Sequence, residues 1–198
     1  MATTTTISQV GEFPLISSMV GDLTMGQAVT LGPGDDGAVF QVDGSAVVST
    51  DVLVEEVHFR RRWSTATDVG RKAVAVNVSD IEAMGAVPVA LVVGFSAPGD
   101  LPASWAREFM AGMTAESQKA GVSVVGGDTT GGPVVSIAVT VIGQTAGMAP
   151  VRRDGAVPGD EVAVIGQLGL AAAGLALLGR GFRSPRAVVA AQPCAAVS

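Results

Sequence analysis

Gly32-Pro33-Gly34-Asp35-Asp36-Gly37-Ala38-Val39-Phe40-Gln41-Val42-Asp43-Gly44-Ser45-Ala46-Val47-Val48-Ser49-Thr50-Asp51 is the stretch from which the fold is read. Residues 38–42 and 45–50 are β-rich runs. The Asp43-Gly44 pair between them predicts a tight hairpin, because both positions of a two-residue turn need φ > 0. In that register Val42 faces Ser45, and Asp36 falls opposite Asp51. Like charges directly opposite on paired strands destabilise a sheet, so these two carboxylates and their neighbour Asp35 suggest a bound cation. Hard oxygen ligands favour Mg²⁺ or Ca²⁺ over Zn²⁺. The competing reading is that the strands fray first and leave both acids in water.

The opening of this stretch matches G-x-G-x-x-G literally, yet it is no dinucleotide fingerprint. That fingerprint follows a strand and opens a helix, whereas this one precedes a strand and carries two Asp that repel a pyrophosphate. The sequence also lacks G-x-x-x-x-G-K-[ST], which excludes a P-loop NTPase. A nucleotide here would be held through Mg²⁺ bridging its phosphates to carboxylates.

Outward from this stretch, residues 11–30 read as a short helix and linker. Residues 65–87 follow a helical period, with Val69, Ala73, Val76, Ala83 and Met84 as the apolar stripe. Thr67 is the expected N-cap, and Gly85 with Pro88 ends the helix. Asp80 falls in the middle of that stripe, where a carboxylate is costly unless paired or bound to a metal. Arg71 and Lys72 lie on other faces, and a core hydrogen bond is the alternative partner. Residues 88–96 read as a buried strand. A helix follows from Pro102 and Ser104, with Trp105, Phe109 and Met113 on one face and Gly121 as its stop. Residues 122–125 form a strand that ends in Gly126-Gly127-Asp128. An acid just past a strand's C-terminal end often marks a ligand site, though Asp and Gly also serve simple turns. Residues 134–143 form the next strand. Pro158-Gly159-Asp160 is a turn before a strand over 161–165 and an Ala/Leu-rich helix to Leu178. A domain boundary is expected near residues 150–160, giving domains 1–150 and 151–198.

The chain has 198 residues, enough to bury a sizeable core; 48% are hydrophobic and only 15% charged, which argues against disorder. Its net charge is −6, and eight acids precede the first basic residue, Arg60. Such a surface repels nucleic acid and anionic membranes and attracts divalent cations. Cys194 is the only cysteine, so no intrachain disulfide or thiolate metal site is possible, and the usage fits a cytoplasmic location. The N-terminus has no secretory signal pattern, and no apolar run approaches the ~20 residues of a membrane span. His58 precedes Phe59-Arg60-Arg61-Arg62-Trp63; a lone His is commonly structural, and the Arg run also reads as a solvated edge. Arg152-Arg153 lies at the expected boundary, where an Arg could clamp a phosphate.

Taken in order, several motifs resemble the thiamine-monophosphate kinases of the aminoimidazole ribonucleotide synthetase-like superfamily. They are Gly-Pro-Gly-Asp-Asp-Gly-Ala-Val, Ser49-Thr50-Asp51, Val57-His58-Phe59, Arg71-Lys72-Ala73 through Asn77-Val78-Ser79-Asp80 with Met84-Gly85-Ala86, Gly126-Gly127-Asp128-Thr129-Thr130, Arg153-Asp154-Gly155-Ala156 and Pro158-Gly159-Asp160. The resemblance spans about residues 11–181. It implies an α/β (α+β) fold: an N-terminal domain like that of aminoimidazole ribonucleotide synthetase, with a mixed sheet and flanking helices, plus the start of a second α/β domain. It implies a homodimer formed through the N-terminal sheet, with ATP near the subunit interface, and direct in-line phosphorylation of thiamine monophosphate to thiamine diphosphate with several Mg²⁺. By matching position, Asp35, Ser49, Thr50, Asp51, Asp80 and Asp128 are the implied metal ligands and His58 the contact to thiamine monophosphate. Gly127, Asp128 and Arg153 would bind ATP, with Met110 where the family usually has an aromatic residue. The family's second domain runs beyond residue 198, and the pattern fades after about Pro185 into an unrelated tail. A C-terminally truncated chain of weak or no activity is therefore expected. Two alternatives stand beside this reading: another ATP-dependent synthetase of the superfamily, and a catalytically silent Mg²⁺–nucleotide-binding fragment.

Overall fold

The computed structural model describes residues 4–183. The unrelated tail expected from about Pro185, with Cys194, lies outside the described residues. The chain divides into two units, Met1–Gly155 and Ala156–Ser198. In the first, the elements run α1 (Ile7–Val10), α2 (Glu12–Val20), β1 (Val29–Leu31), β2 (Val39–Phe40), β3 (Ala46–Val54), α3 (Ala66–Ala83), β4 (Val87–Ala97), α4 (Ala103–Ala120), β5 (Ser123–Gly131) and β6 (Ser136–Gln144). The second contains α5 (Leu170–Gly179).

The main sheet has the order β3-β6-β4-β5. It is mixed: β6 runs antiparallel to both β3 and β4, while β4 and β5 are parallel and joined through α4. Burial alternates along β6, with Ile137, Val139 and Val141 covered and their neighbours only half-buried. This period of two marks one face packed under helices. Leu91, Val93 and Phe95 of β4 and Leu53 of β3 fall on the same side, beneath α3 and α4. This is an α/β fold with a mixed sheet and flanking helices.

The hairpin expected around Asp43-Gly44 does not form. Residues 39–40 pair with β1, and β3 pairs along its whole length with β6. Only Gly44 of the two turn residues has positive φ, at 76°. The segment is instead bound to the end of β6: Asp43 N–H donates to Gln144 Oε1 (2.8 Å), Ser45 N–H to Thr145 Oγ1 (3.0 Å), and Ala146 N–H to Asp43 O (3.0 Å). Long-range pairing thus replaces the local turn. Asp51 faces Val139, not Asp36.

Four further expectations are corrected. Thr65, not Thr67, caps α3: its Oγ1 accepts from Asp68 N–H (3.1 Å), while Asp68 Oδ2 accepts from Thr65 N–H (3.1 Å) and Oγ1 (2.7 Å). The buried stripe of α3 is Val69, Gly70, Ala73, Val74, Asn77, Val78 and Ile81, so Asp80 and Ala83 are exposed. The helix turns this stripe to meet α4 as well as the sheet, which a single-face reading of the period misses. Gly126-Gly127-Asp128 lies inside β5, after a shift in register with β4 at Val125, and not beyond its end. Residues 161–165 form no strand; Val162 is 96% and Ile165 100% exposed. A β-run has no backbone partner until a neighbouring strand supplies one, and none among the described residues does. As expected, α4 carries Phe109 and Met113 into the core and ends at Gly121 in a left-handed conformation.

Two glycines decide how closely α3 and α4 approach. A Cβ on Gly70 would strike the Phe109 carbonyl oxygen and lie 2.8 Å from Met113 N. A Cβ on Gly112 would strike the Thr67 carbonyl oxygen and lie 2.8 Å from Thr67 Cα. Each helix therefore presents a glycine to the other's backbone. Gly70→Ala and Gly112→Ala should each lower stability by about 1–3 kcal/mol; wild-type urea midpoints in both variants would mean that the helices do not meet there. Thr65→Ala should cost about 1 kcal/mol through loss of the cap. Hydrogen bonds from the Thr65 side chain and then its backbone hold the Asp68 carboxyl below its ordinary value of 3.8. A carboxylate depressed in this way contributes stability above its unfolded pKa, and that stability is lost as pH falls through the folded value. The stability gap between wild type and Asp68→Ala should therefore narrow between about pH 6 and pH 3. A gap constant over that range would contradict the capping account.

Candidate functional site

β5 is an edge strand, so its outer backbone groups are available to a ligand. Around this edge lies a cavity of about 810 Å³, lined by α2, the loop over residues 33–38, the middle of β4, Met110 of α4, and residues 124–129 of β5. Asp35, Met110, Gly127 and Asp128 all border it. The loop reaches this position because Gly34 turns with φ 127° and because β1 and β2 pack over Val89, Ala90 and Val125 through Val29 and Phe40. Gly127 is required for a local reason: a Cβ there would strike the Val93 carbonyl oxygen of the paired strand. The cavity walls are mostly apolar, with carboxylates at one side. That combination suits a ligand with a flat organic part and a charged tail.

The sequence reading did not place α2 at the site. Phe13, Ile16 and Val20 line the cavity together with the buried Met19, while Leu15 is buried in the core. The three- and four-residue spacing of Phe13, Ile16 and Val20 was the signal that could have found this second stripe.

The remaining candidate ligands stand at the opposite edge of the sheet. Ser49 Oγ donates to Asp80 Oδ2 (2.9 Å), joining β3 to α3, and Asp51 lies two residues further along the same face of β3. Thr50 points to the other face, where its Oγ1 donates to Val139 O (3.0 Å) and accepts from Thr140 Oγ1 (3.2 Å). Across the sheet the row runs Asp51, Val139, Val93, Gly127. Three strand spacings separate Asp51 from Gly127, about 14 Å. Among the described residues no three His, Cys, Asp or Glu side chains gather into a metal-sized cluster. Asp35 and Asp128 therefore form one group, and Ser49, Asp51 and Asp80 another. Asp35, Asp51, Asp80 and Asp128 are in no ion pair with any described residue.

The acids after β3 are neutralised instead. Arg61 bonds Glu55 (2.5 Å), and Arg60 and Arg62 both bond Glu56 (3.0 and 2.7 Å). Hydrogen bonding from Arg62 leads the lowering of the Glu56 carboxyl, with Arg60 assisting against desolvation. The guanidinium groups of Arg60 and Arg62 also stand over the Trp63 ring, at 4.2 and 5.4 Å. His58 is exposed within this loop, and its Nδ1 accepts from Val54 N–H (3.0 Å). Arg153 is exposed and follows Val151, whose N–H donates to Met84 O (2.8 Å) at the end of α3. Its neighbour Arg152 is committed to a two-bond fork on Asp154 (3.0 Å each).

Residues 34–145 match the family model "AIR synthase related protein, N-terminal domain". The thiamine-monophosphate kinase of Mycobacterium tuberculosis is 49% identical over 173 residues, which cover 87% of this chain and 52% of that protein. Among solved structures, thiamine-monophosphate kinase from Stenotrophomonas maltophilia K279a aligns with a TM-score of 0.71 at 36% identity, over 84% of this chain and 51% of the other. AaThiL complexed with AMPPCP and TMP aligns with a TM-score of 0.66 at 32% identity, over 90% and 55%. The chain spans about half the length of the curated relatives it matches. With more than half of its residues inside the matched model, the chain belongs to the AIR synthase related protein family, through that family's N-terminal domain.

Proposed function

We propose that the chain serves the ATP-dependent phosphorylation of thiamine monophosphate to thiamine diphosphate, a cytoplasmic reaction of soluble metabolites. The observation that carries this reading is its likeness, over 90% of its length, to a protein solved with AMPPCP and TMP. The oxygen donors fit Mg²⁺: Asp35, Asp51, Asp80 and Asp128, like most of the described acids, have no cationic partner, and the Ser49 and Thr50 hydroxyls precede Asp51 in sequence. Asp35 and Asp128 would hold metal-bound phosphates at the β5 edge, with Gly127 leaving the backbone open to them. Asp51 and Asp80, with Ser49 and the backbone at Thr50, would hold metal at the β3 edge. Mg²⁺ supplies cancellation of phosphate charge, which lets two anions approach. Met110 would back the base and Arg153 would hold phosphate oxygens. A phosphate oxygen of thiamine monophosphate attacks the γ-phosphorus in line; the bond from that phosphorus to the bridging oxygen breaks and ADP departs. A phosphate monoester is largely ionised near neutral pH, so the attack needs no general base.

The split of the acids between two sheet edges favours a homodimer in which each site is shared. The sheet face away from α3 and α4 exposes Val48 (62%), Val52 (48%) and Val92 (39%). An apolar face of this kind marks an interface. A two-fold axis running along the strands would set the β3 edge of one protomer against the β5 edge of its partner, uniting the two groups.

Two measurements test this reading. Calorimetric binding of Mg²⁺–AMPPCP should weaken about tenfold or more in Asp128→Asn and in Asp51→Asn; unchanged binding in both would remove the carboxylates from the site. Val48→Asp, on the face of β3 opposite Ser49 and Asp51, should give monomers by light scattering and lose nucleotide binding with them. Monomers that bind as tightly as wild type would refute a shared site. Thiamine diphosphate formation is expected to be absent in Asp80→Asn.

A further inference from the structure

We propose that Lys72 is a positioning residue that locks His58 as an Nε2–H hydrogen-bond donor facing the substrate; this rests on the kinase reading above, in which His58 contacts thiamine monophosphate. His58 is held at three points. Its backbone N–H donates to Val54 O (2.8 Å), its ring Nδ1 accepts from Val54 N–H (3.0 Å), and its carbonyl oxygen accepts from Lys72 Nζ (2.5 Å). The first two tie it to the last residue of β3. The third ties it across 14 positions to α3.

The chemistry of the ring follows from the second bond. An imidazole nitrogen that accepts a hydrogen bond carries no proton, so the neutral ring must carry its proton on Nε2. The nitrogen directed away from Val54 is then a donor only, suited to an acceptor such as a phosphate oxygen. It cannot act as a base through that atom. The loop is built to keep this arrangement. Glu56 has φ 65°, unusual for a residue with a Cβ. Its N–H closes a turn onto Phe59 O (2.7 Å), and Arg60 and Arg62 grip its carboxylate. Phe59, next to His58, is buried and stacks on Trp105 with ring centroids 6.5 Å apart.

Among the described residues, Lys72 supplies the one hydrogen bond that joins His58 to a helix. It also links the substrate residue to the helix that carries Asp80, two turns further on. The charged donor on a backbone carbonyl is stronger than a neutral bond. Removing it releases the His58 carbonyl, the one point not held within the loop itself, and lets the ring shift against Val54 while β3, α3 and the core stay intact.

His58 is the only histidine in the chain, so its ring nitrogens can be read without overlap by ¹⁵N long-range NMR correlation on the whole protein. Wild type should show a single Nε2–H tautomer. Lys72→Met keeps the apolar stem and should move both ring nitrogens toward averaged tautomer shifts, and Lys72→Arg should restore them. Thiamine monophosphate binding by calorimetry should weaken about tenfold in Lys72→Met, with Mg²⁺–AMPPCP binding unchanged. An Nδ1–H ring in wild type, or wild-type ring shifts in Lys72→Met, overturns the positioning role. If Lys72→Met proves unfolded by circular dichroism, the wild-type tautomer and the Lys72→Arg spectrum decide. A ring that responds to Lys72 in a protein that binds no thiamine monophosphate upholds the positioning and overturns the kinase reading.

Discussion

The backbone contact of α3 with α4 at Gly70 and Gly112 governs the rest of the N-terminal unit. Without side chains at these two positions the helices close onto each other's carbonyls, and both then lie flat on one face of the sheet. That depth brings Ser49 of β3 within hydrogen-bonding distance of Asp80 on α3, and it sets Met110 of α4 against the cavity beside β5. A wider crossing would lift both helices and dissolve the two ends of the candidate site together. Close packing of this kind leaves little room for compromise, because a core at crystal-like density transmits a displacement of one methylene.

The helices occupy only one side of the sheet. On the other side β1 and β2 cover the end near Val89, Ala90 and Val125, and they leave the β3 half open. The loop carrying Asp35 belongs to this partial cover, so the acid-rich stretch is delivered to the β5 edge, not to its neighbour in sequence. Charge is distributed in the same divided way. Glu55 and Glu56 are matched by three arginines within a few residues, which neutralises the loop. Asp35, Asp51, Asp80 and Asp128 are left to water or to a cation.

Much of this could be read in the chain's residue order. The helices α3 and α4, the stop at Gly121 and the buried strand of β4 all survive in the structure. These are local signals: a period of 3.6, a glycine that accepts positive φ, an apolar run bounded by turns. They depend on a few consecutive residues, so the sequence by itself determined them, together with the family.

Partnership is different, and only the tertiary structure decided it. Asp43-Gly44 is a good local turn, yet β3 bonds β6 some ninety positions away because nine continuous pairs outweigh one turn. Asp80 is exposed because α3 buries a stripe set by α4, which no periodicity of α3 alone can reveal. The acids that share a short stretch of sequence part to opposite edges of the sheet because strand order, not chain order, sets distance in space. Residue type and local period are properties of a segment; which segment it meets is a property of the whole packed chain.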